Sequence, residues 1–305
     1  MTADHGERGL AVGLAVKLIA DQFPDLAGED VRYFGVGWDH ELFSAGPRWI
    51  FRFPRRADRA AWLVREIQIM TVVSEALGML VPRFELIGKP SPAFPYPFVG
   101  YRRIDGAGAD EAGIADLSGL ARDVGHLLAR LHTIDVALMP NAPAVPGQDP
   151  WAHQHWAQLR ARVTAAASII RPVLPPGVRT AAEPYLAGRT PEPAEHAPAR
   201  FLHNDMCPDH LIVAPGTGRL AGLIDFGDAK AGDPVLDFVG LIGIGGYDFI
   251  RQAAAAYGLP LGDSFYTRLG WLARTLTLTW LAEAAEVNPA DISKNQSWVT
   301  LAFGD

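Results

Sequence analysis

The segment HNDMCPDHLIV, residues 203–213, places acidic, imidazole and thiol side chains just ahead of a short apolar run. The turn sequence APGTG follows, and then a second apolar run that ends in IDFGD, residues 224–228. We predict that the two runs form an antiparallel hairpin around this turn. In the register that pairs Val213 with Gly222, His210 lies opposite Asp225 at the open end, with Asp205 just upstream.

Two carboxylates and an imidazole at one place could hold a divalent cation while one aspartate accepts a proton. Zinc is the weaker interpretation, because the chain has one cysteine and no HExxH spacing. A Cys207 nucleophile with His203 or His210 as its base is a further alternative. A single cysteine among apolar neighbours is more often inert, and we interpret His203 as a structural residue that orients the loop.

The composition excludes several classes of protein. With 305 residues and 49% hydrophobic residues, the chain is long enough for one large domain or two medium ones. Its net charge of −7 argues against nucleic acid as a partner. The single Cys207 cannot form an internal disulfide. The first 23 residues have the spacing of an amphipathic helix and not of a signal peptide, and no apolar run is long enough to span a membrane. We therefore expect a cytoplasmic protein without a membrane partner.

The elements that must position these residues fall into two regions. Residues 1–104 contain short extended runs, including RWIFRFP, in which Trp49, Phe51 and Phe53 share one strand face and Arg52 lies on the other. An AGP turn precedes this run, and a helical pattern that carries Glu66 follows over residues 57–77. Residues 105–305 are mainly helical, beginning with a strongly amphipathic stretch from Leu117 to Leu131. The pattern predicts an α+β protein.

The pair of motifs FLHNDMCPDHLIV and GLIDFGDAKAGDPVLDF resembles the catalytic loop and the metal-binding aspartate of protein-kinase-like phosphotransferases. It is most similar to aminoglycoside 2″-phosphotransferases, and then to macrolide phosphotransferases. RWIFRFPRR, FVGYRRIDG and LARDVGHLLARLHTID extend the likeness in matching order over most of residues 30–245. The resemblance implies a bilobal fold. An antiparallel-sheet N-lobe, residues 1–104, would bind nucleotide, and a larger helical C-lobe, residues 105–305, would hold the catalytic and acceptor sites.

The same resemblance implies a role for each matching residue. Asp205 would be the catalytic base, and His210 and Asp225 would bind Mg²⁺ beside the phosphates of ATP or GTP. Where the family has a lysine, this chain has Arg52, which Glu66 would hold against the phosphates. The remaining nucleotide-binding candidates are the phosphate-covering glycines and two residues whose backbone region would bind the base: Gly35, Gly37, Phe98 and Gly100.

These roles predict transfer of the γ-phosphate to a hydroxyl of an aminoglycoside-like antibiotic, which confers resistance. Candidate contacts for a cationic acceptor are four acidic residues, Asp228, Asp237, Glu283 and Glu286. One alternative is a macrolide 2′-phosphotransferase, whose apolar cleft the Trp-rich segment GWLARTLTLTWLAEA could line. Others are a choline- or sugar-type metabolite kinase and a nucleotide-binding pseudokinase scaffold. Arg52 and the sparse glycine loop favour the scaffold, whereas Asp205 and Asp225 oppose it. Of these hypotheses, only the pseudokinase scaffold requires a protein partner.

Overall fold

The structure is a computed structural model that describes residues 9–37, 39–140, 156–193, 197–262 and 264–304. Its chain divides into two compact units. The first unit comprises Met1–Asp105, Pro140–Pro146 and Gly222–Gly227. The second comprises Gly106–Met139, Gly147–Ala221 and Asp228–Asp305. The segment that carries Asp225 therefore groups with the first unit, although it follows residue 105 by more than a hundred positions.

The first unit is built on a five-stranded antiparallel sheet whose strands lie in the order β1-β2-β3-β5-β4. Two helices accompany the sheet. The first, α1, covers part of the helix predicted at the chain start, and residues 1–8 of that prediction lie outside the described residues. In chain order the elements are α1 (Val12–Gln22), β1 (Val31–Val36), β2 (His40–Ala45), β3 (Trp49–Pro54), α2 (Ala57–Leu77), β4 (Leu86–Gly88) and β5 (Phe98–Arg102).

The β2–β3 hairpin follows the prediction from the AGP turn. Ala45 pairs with Trp49, and Gly46 between them has a φ of +57°, a backbone conformation that favours glycine. Strand alternation then directs the rings of Phe51 and Phe53 into an aromatic core, where Phe53 stacks on Phe98 with ring centroids 4.5 Å apart. This packing holds β3 and β5 in register and fixes the opposite face of β3, which carries Arg52.

Helix α2 has the bounds that its apolar spacing predicts. Its buried face includes Leu63, Met70 and Val73, which recur at helical spacing. Gly78, with a φ of +65°, ends the helix in a conformation that most other residues avoid. Glu66 lies on the same buried face, so the helix carries a carboxylate into the interior of the first unit.

The second unit is mainly helical. Helix α3 begins at the N-cap Asp116, whose carboxylate accepts a hydrogen bond from Gly119 N at 2.7 Å, and it packs closely on α8. Helix α8 is interrupted at Gly245–Gly246, and the last helix, α10, was not predicted from the sequence. The helices are α3 (Leu117–Leu131), α4 (Trp156–Ala165), α5 (Ala167–Val173), α6 (Arg179–Leu186), α7 (Val235–Val239), α8 (Ile242–Tyr257), α9 (Phe265–Glu286) and α10 (Ile292–Phe303).

Five short strands, β6 to β10, lie in the segments between the described helices. β6 (Ala107–Gly108) pairs with β8 (Leu211–Val213), whose other neighbour is β9 (Leu220–Leu223). β7 (Arg200–Leu202) pairs with β10 (Lys230–Gly232). The predicted β8–β9 hairpin forms, but the Ala214 N–H donates to Arg219 O at 2.8 Å, which places these two residues opposite each other. The predicted register is therefore wrong by two residues, because the turn is tighter than expected.

Among the described residues, no helix combines the length and apolar character needed to cross a membrane.

Candidate active site

Arg52 of β3 is the centre of a charged cluster in the first unit. Its Nη1 donates to Glu66 Oε1 at 2.6 Å, and the two side chains are 8% and 2% exposed. Its Nη2 lies 3.1 Å from His40 Nδ1 and 3.3 Å from Asp225 Oδ1. The structure thus brings together Arg52, Glu66 and Asp225. Arg52 is therefore a buried, paired side chain and not one exposed to solvent.

Burial and the neighbouring charges set the protonation of this cluster. Burial raises the pKa of Glu66 to about 7, with the positive charge of Arg52 opposing the rise. Burial alone would lower the pKa of Arg52, but Glu66 and Asp225 outweigh it, so the pKa lies above its usual range. The guanidinium stays charged at every relevant pH. His40 is different, because burial and the nearby Arg52 lower its pKa to about 2 and leave the ring neutral.

Asp225 follows β9 in a left-handed backbone conformation, with a φ of +66°. Aspartate tolerates this region better than most residues, and such conformations concentrate at functional sites. Its side chain is 45% exposed, so the carboxylate that contacts Arg52 also faces solvent. This residue combines a fixed backbone with an accessible oxygen ligand.

The two glycines predicted to cover phosphates lie at and just beyond the end of β1. The β1–β2 pairing is irregular between Tyr33 and Gly35, and Gly37 N donates to His40 O at 2.9 Å. A Cβ placed on Gly35 would meet no atom of the described residues within 4 Å, and on Gly37 only His40 O at 3.9 Å. Within the described residues, neither a close packing contact nor a positive φ explains why glycine occupies these two positions. Their predicted role against a nucleotide stays a prediction, and Trp38 between them and His40 lies outside the described residues.

Phe98 and Gly100 serve the core of the first unit. The Phe98 ring is fully buried against Phe53, and a Cβ on Gly100 would come within 2.6 Å of the Phe51 ring. β5 is paired on both sides, by β3 and β4. These contacts explain the two residue types by packing. The binding of a nucleotide base to their backbone region stays a prediction.

In the second unit, Asp237 of α7 anchors the loop that carries Asp205. Its fully buried carboxylate accepts hydrogen bonds from His203 N at 2.9 Å and Asn204 N at 2.7 Å, and His132 Nε2 lies 3.0 Å away. These contacts involve both carboxylate oxygens, and the side chain has no exposed surface at which an acceptor could bind. The prediction that Asp237 contacts the acceptor is therefore corrected by its burial: the residue holds the backbone of the loop.

The loop itself is bent so that Asp205 projects from a fixed backbone. Asn204 has a φ of +67°, which asparagine tolerates, and His203 is fully buried with its Nδ1 accepting from Asp205 N at 3.3 Å. His203 is therefore a structural residue. The Asp205 side chain is 48% exposed, so its carboxylate reaches solvent.

His210 closes the other side of this loop. Its Nδ1 lies 2.9 Å from the backbone oxygen of Asp205, 3.0 Å from Cys207 Sγ and 3.5 Å from Asp205 Oδ2. The ligand atoms of Asp205, Cys207 and His210 all lie within 4.8 Å of one another. Nδ1 of His210 therefore bonds within the loop, and its predicted metal role stays a prediction.

The thiol of this cluster is unsuited to nucleophilic chemistry. Burial, with the negative charges of Asp205 and Asp209, raises the pKa of Cys207 far above its usual range. Only a thiolate is an effective nucleophile or metal ligand, so the Cys207 nucleophile alternative loses its basis. Mg²⁺ prefers oxygen ligands, so the protonated thiol of Cys207 does not suit it.

The other predicted acceptor contacts are surface residues of the second unit. Asp228, Glu283 and Glu286 are exposed, the last two on α9. The tryptophans of the same helix pack on other helices: Trp271 lies edge-on to Trp156, and Trp280 to Trp298. Core packing thus accounts for the Trp-rich segment.

Sequence reasoning missed His40. The β2–β3 register pairs Leu42 with Arg52, so His40 lies two residues away on the same sheet face, diagonal to Arg52. Once the AGP turn sets that register, the contact follows, but the histidine type alone gave no signal. The network of Asp237, His132 and Tyr257 was also missed; Tyr257 OH lies 2.7 Å from His132 Nδ1.

Solved structures of antibiotic-modifying enzymes share this fold. The GDP complex of wild-type aminoglycoside 2'-phosphotransferase-IIIa is 24% identical in sequence, with a TM-score of 0.72 and coverage of 96% of this chain and 98% of that chain. The GDP and kanamycin complex of APH(2″)-IIIa is 24% identical, with a TM-score of 0.67 and coverage of 94% and 95%. Macrolide 2'-phosphotransferase MphH from Brachybacterium faecium is 19% identical, with a TM-score of 0.61 and coverage of 96% and 98%.

These similarities confirm the predicted α+β, protein-kinase-like fold. A match to the family described as "Phosphotransferase enzyme family" extends over residues 30–271, which is most of the 305 residues. It covers the strand with Arg52, the loop with Asp205 and the segment with Asp225. The protein therefore belongs to the phosphotransferase enzyme family.

Proposed function

We propose that the protein transfers the γ-phosphoryl group of ATP or GTP to a hydroxyl of an aminoglycoside-like antibiotic and thereby confers resistance. The observation that carries the proposal is the Arg52 guanidinium, buried and held by Glu66 at 2.6 Å with Asp225 at 3.3 Å. A fixed, permanently charged fork of N–H donors is suited to phosphate oxygens. In this chain the Arg52–Glu66 pair would bind the phosphates, as a lysine–glutamate pair does in the related kinases.

Asp205 is the proposed base. As the acceptor hydroxyl oxygen forms its bond to the γ-phosphorus, the bond from phosphorus to the leaving nucleoside diphosphate oxygen breaks, and Asp205 takes the hydroxyl proton. A carboxylate with this task must be accessible yet fixed. Asp205 has a half-exposed side chain on a loop whose backbone Asp237 holds by two hydrogen bonds.

The donor set is compatible with Mg²⁺. Asp225 offers a half-exposed carboxylate and His210 could add a ring nitrogen, while the phosphates and water would complete the coordination. Bound Mg²⁺ would neutralise charge on the phosphates as the nucleoside diphosphate leaves.

Charge favours a cationic acceptor. The chain carries a net charge of −7, and Asp228, Glu283 and Glu286 are exposed in the second unit. Structures with this fold include complexes with kanamycin, with gentamicin, and with streptomycin and ATP. An aminoglycoside presents several ammonium groups and hydroxyls together, so exposed carboxylates could orient it.

A macrolide acceptor is the second candidate. It is favoured by the shared fold, since macrolide 2'-phosphotransferase MphH matches this chain with a TM-score of 0.61. It is disfavoured by the tryptophans of α9, because Trp271 and Trp280 pack on Trp156 and Trp298. These side chains therefore leave the predicted apolar cleft without its proposed lining.

The test is direct. Purified protein is incubated with Mg²⁺, ATP or GTP, and panels of aminoglycosides, macrolides, choline and simple sugars, and each acceptor is examined by mass spectrometry. One phosphoryl transfer adds about 80 Da to the acceptor. A gain on an aminoglycoside supports the proposal, and a gain confined to macrolides or metabolites replaces it. Nucleotide binding without any transfer would favour the scaffold interpretation.

A further inference from the structure

His40 is a buried histidine with only one of its two ring nitrogens bonded. The residue is 6% exposed, and its Nδ1 lies 3.1 Å from Arg52 Nη2. Its Nε2 is buried and has no hydrogen-bond partner among the residues that the structure describes. A buried polar atom left in this way costs free energy and is uncommon in native proteins. This cost requires an explanation.

The contact with Arg52 determines the state of the ring. A guanidinium has only N–H donors, so His40 Nδ1 must be the acceptor. A neutral ring that accepts through Nδ1 carries its proton on Nε2, which is the unpartnered atom. His40 is therefore an uncharged acceptor for Arg52, and the unsatisfied Nε2–H is the consequence of that state.

An uncharged acceptor has a specific advantage at this place. Glu66 and Asp225 already bring two carboxylates to the same guanidinium, at 2.6 and 3.3 Å. The nearby Asp39 is paired with Arg59 at 3.2 Å. A third carboxylate on Arg52 would add negative charge to the cluster and repel a phosphate. A neutral imidazole fixes Nη2 and adds no such charge.

We propose that His40 is a positioning residue for nucleotide binding: it orients the Arg52 guanidinium toward the phosphates without neutralising it. The inference rests on the proposed function, because it assumes that Arg52 binds a nucleoside triphosphate. It also explains the departure from lysine. An ammonium is a single point charge, whereas an arginine fork can be held by Glu66 on one nitrogen and by His40 on the other.

Two substitutions at residue 40, to asparagine and to aspartate, have the same shape as each other and differ in charge, so they separate the effect of charge from that of hydrogen bonding. His40→Asn places a neutral amide oxygen where Nδ1 accepts, and His40→Asp places a charged oxygen there. Affinities for Mg²⁺–ATP and Mg²⁺–GTP are measured by titration calorimetry, with melting temperatures as a check on folding. We expect His40→Asn to remain within about threefold of the wild type and His40→Asp to bind at least about tenfold more weakly while still folded. Equal affinity of the folded aspartate variant and the wild type would overturn the inference.

A second comparison does not depend on the aspartate variant. With Arg52 present, His40→Ala should bind nucleotide about tenfold more weakly than His40→Asn, because the fork loses its orientation. In the Arg52→Lys background the two variants should bind alike. A difference of the same size in both backgrounds would show that His40 acts otherwise and would refute the proposal. Failure of the wild type to bind either nucleotide would overturn the proposed function and this inference with it, whereas binding that is indifferent to residue 40 overturns the inference alone.

Discussion

Arg52 and Glu66, 14 residues apart in the chain, form a 2.6 Å ion pair between two almost fully buried side chains. Removing two charges from water is costly, and an apolar pair of similar volume is often at least as stable. The pair is therefore poorly explained by stability alone. Its additional contacts to His40 and Asp225 give it the character of a positioned cation.

Removing either partner should reveal this role. Arg52→Ala should raise the nucleotide KM and lower kcat, and Glu66→Ala should give a related loss, since truncating one member of a buried pair costs about 2–5 kcal/mol. The double variant should be less than additive, because each single change already breaks the pair. Steady-state kinetics over the four proteins measure the coupling. Wild-type kinetics for Arg52→Ala would assign the phosphates to another cation.

Gly35 provides a test of the glycine loop. Because a Cβ there would meet no described atom, Gly35→Ala should leave the free energy of unfolding within about 0.5 kcal/mol of the wild type. We expect the nucleotide KM to rise, since the added methyl would occupy space that a phosphate requires. Gly28→Ala, at a position equally open, is the matched control and should change neither quantity. An unchanged KM for Gly35→Ala would remove this loop from the nucleotide site.

Asp237 is expected to act on stability. Asp237→Ala strands the buried donors His203 N, Asn204 N and His132 Nε2, each at a cost of roughly 1–3 kcal/mol, so unfolding free energy should fall by at least about 3 kcal/mol. Urea denaturation checks this, with the exposed Glu286→Gln as a control that should stay near the wild type. A variant of full stability with only a raised acceptor KM would restore Asp237 to the acceptor site.

The neutral state of His40 predicts a pH dependence. Its pKa of about 2 in the folded protein lies below the ordinary value of 6.5, so the unfolded chain takes up a proton first as the pH falls. The wild type should therefore lose stability below pH 6.5 relative to His40→Asn, by about 2 kcal/mol at pH 5. Urea unfolding of both proteins at pH 7 and pH 5 measures the difference. A constant difference would mean that His40 is protonated in the folded state.

Local patterns predicted much of this architecture. The bounds of α2 and α3 and the β2–β3 turn followed from apolar spacing and one AGP sequence, because these features depend on nearby residues. The Arg52–Glu66 pair was predicted from the family resemblance, which places a strand cation against a helix glutamate, and the structure contains this pair. Distant pairings were harder, and the β8–β9 register was wrong by two residues because the turn geometry was not encoded in the apolar runs.

The main failure of the sequence-based predictions was that they did not identify which polar side chains are buried. Asp237 was predicted to contact a cationic acceptor because of its charge, although its neighbours Leu236 and Phe238 are apolar and buried. These apolar neighbours were the feature of the sequence that indicated a buried position for Asp237. His40 needed the strand register before its partner could be recognised, and helix α10 has no strong apolar period. In each case the decisive contact joins residues whose proximity only the folded chain establishes.

The central claim is that this chain is an active phosphotransferase whose base is Asp205, and the Asp205→Ala variant tests it most directly. Nucleotide affinity and kcat are measured side by side, with Asp209→Asn, an exposed carboxylate of the same loop, as the control. We predict that Asp205→Ala binds nucleotide as the wild type does while kcat falls about 10²–10⁴-fold, and that Asp209→Asn keeps both values. Retention of more than about a tenth of the wild-type kcat by Asp205→Ala would contradict the account.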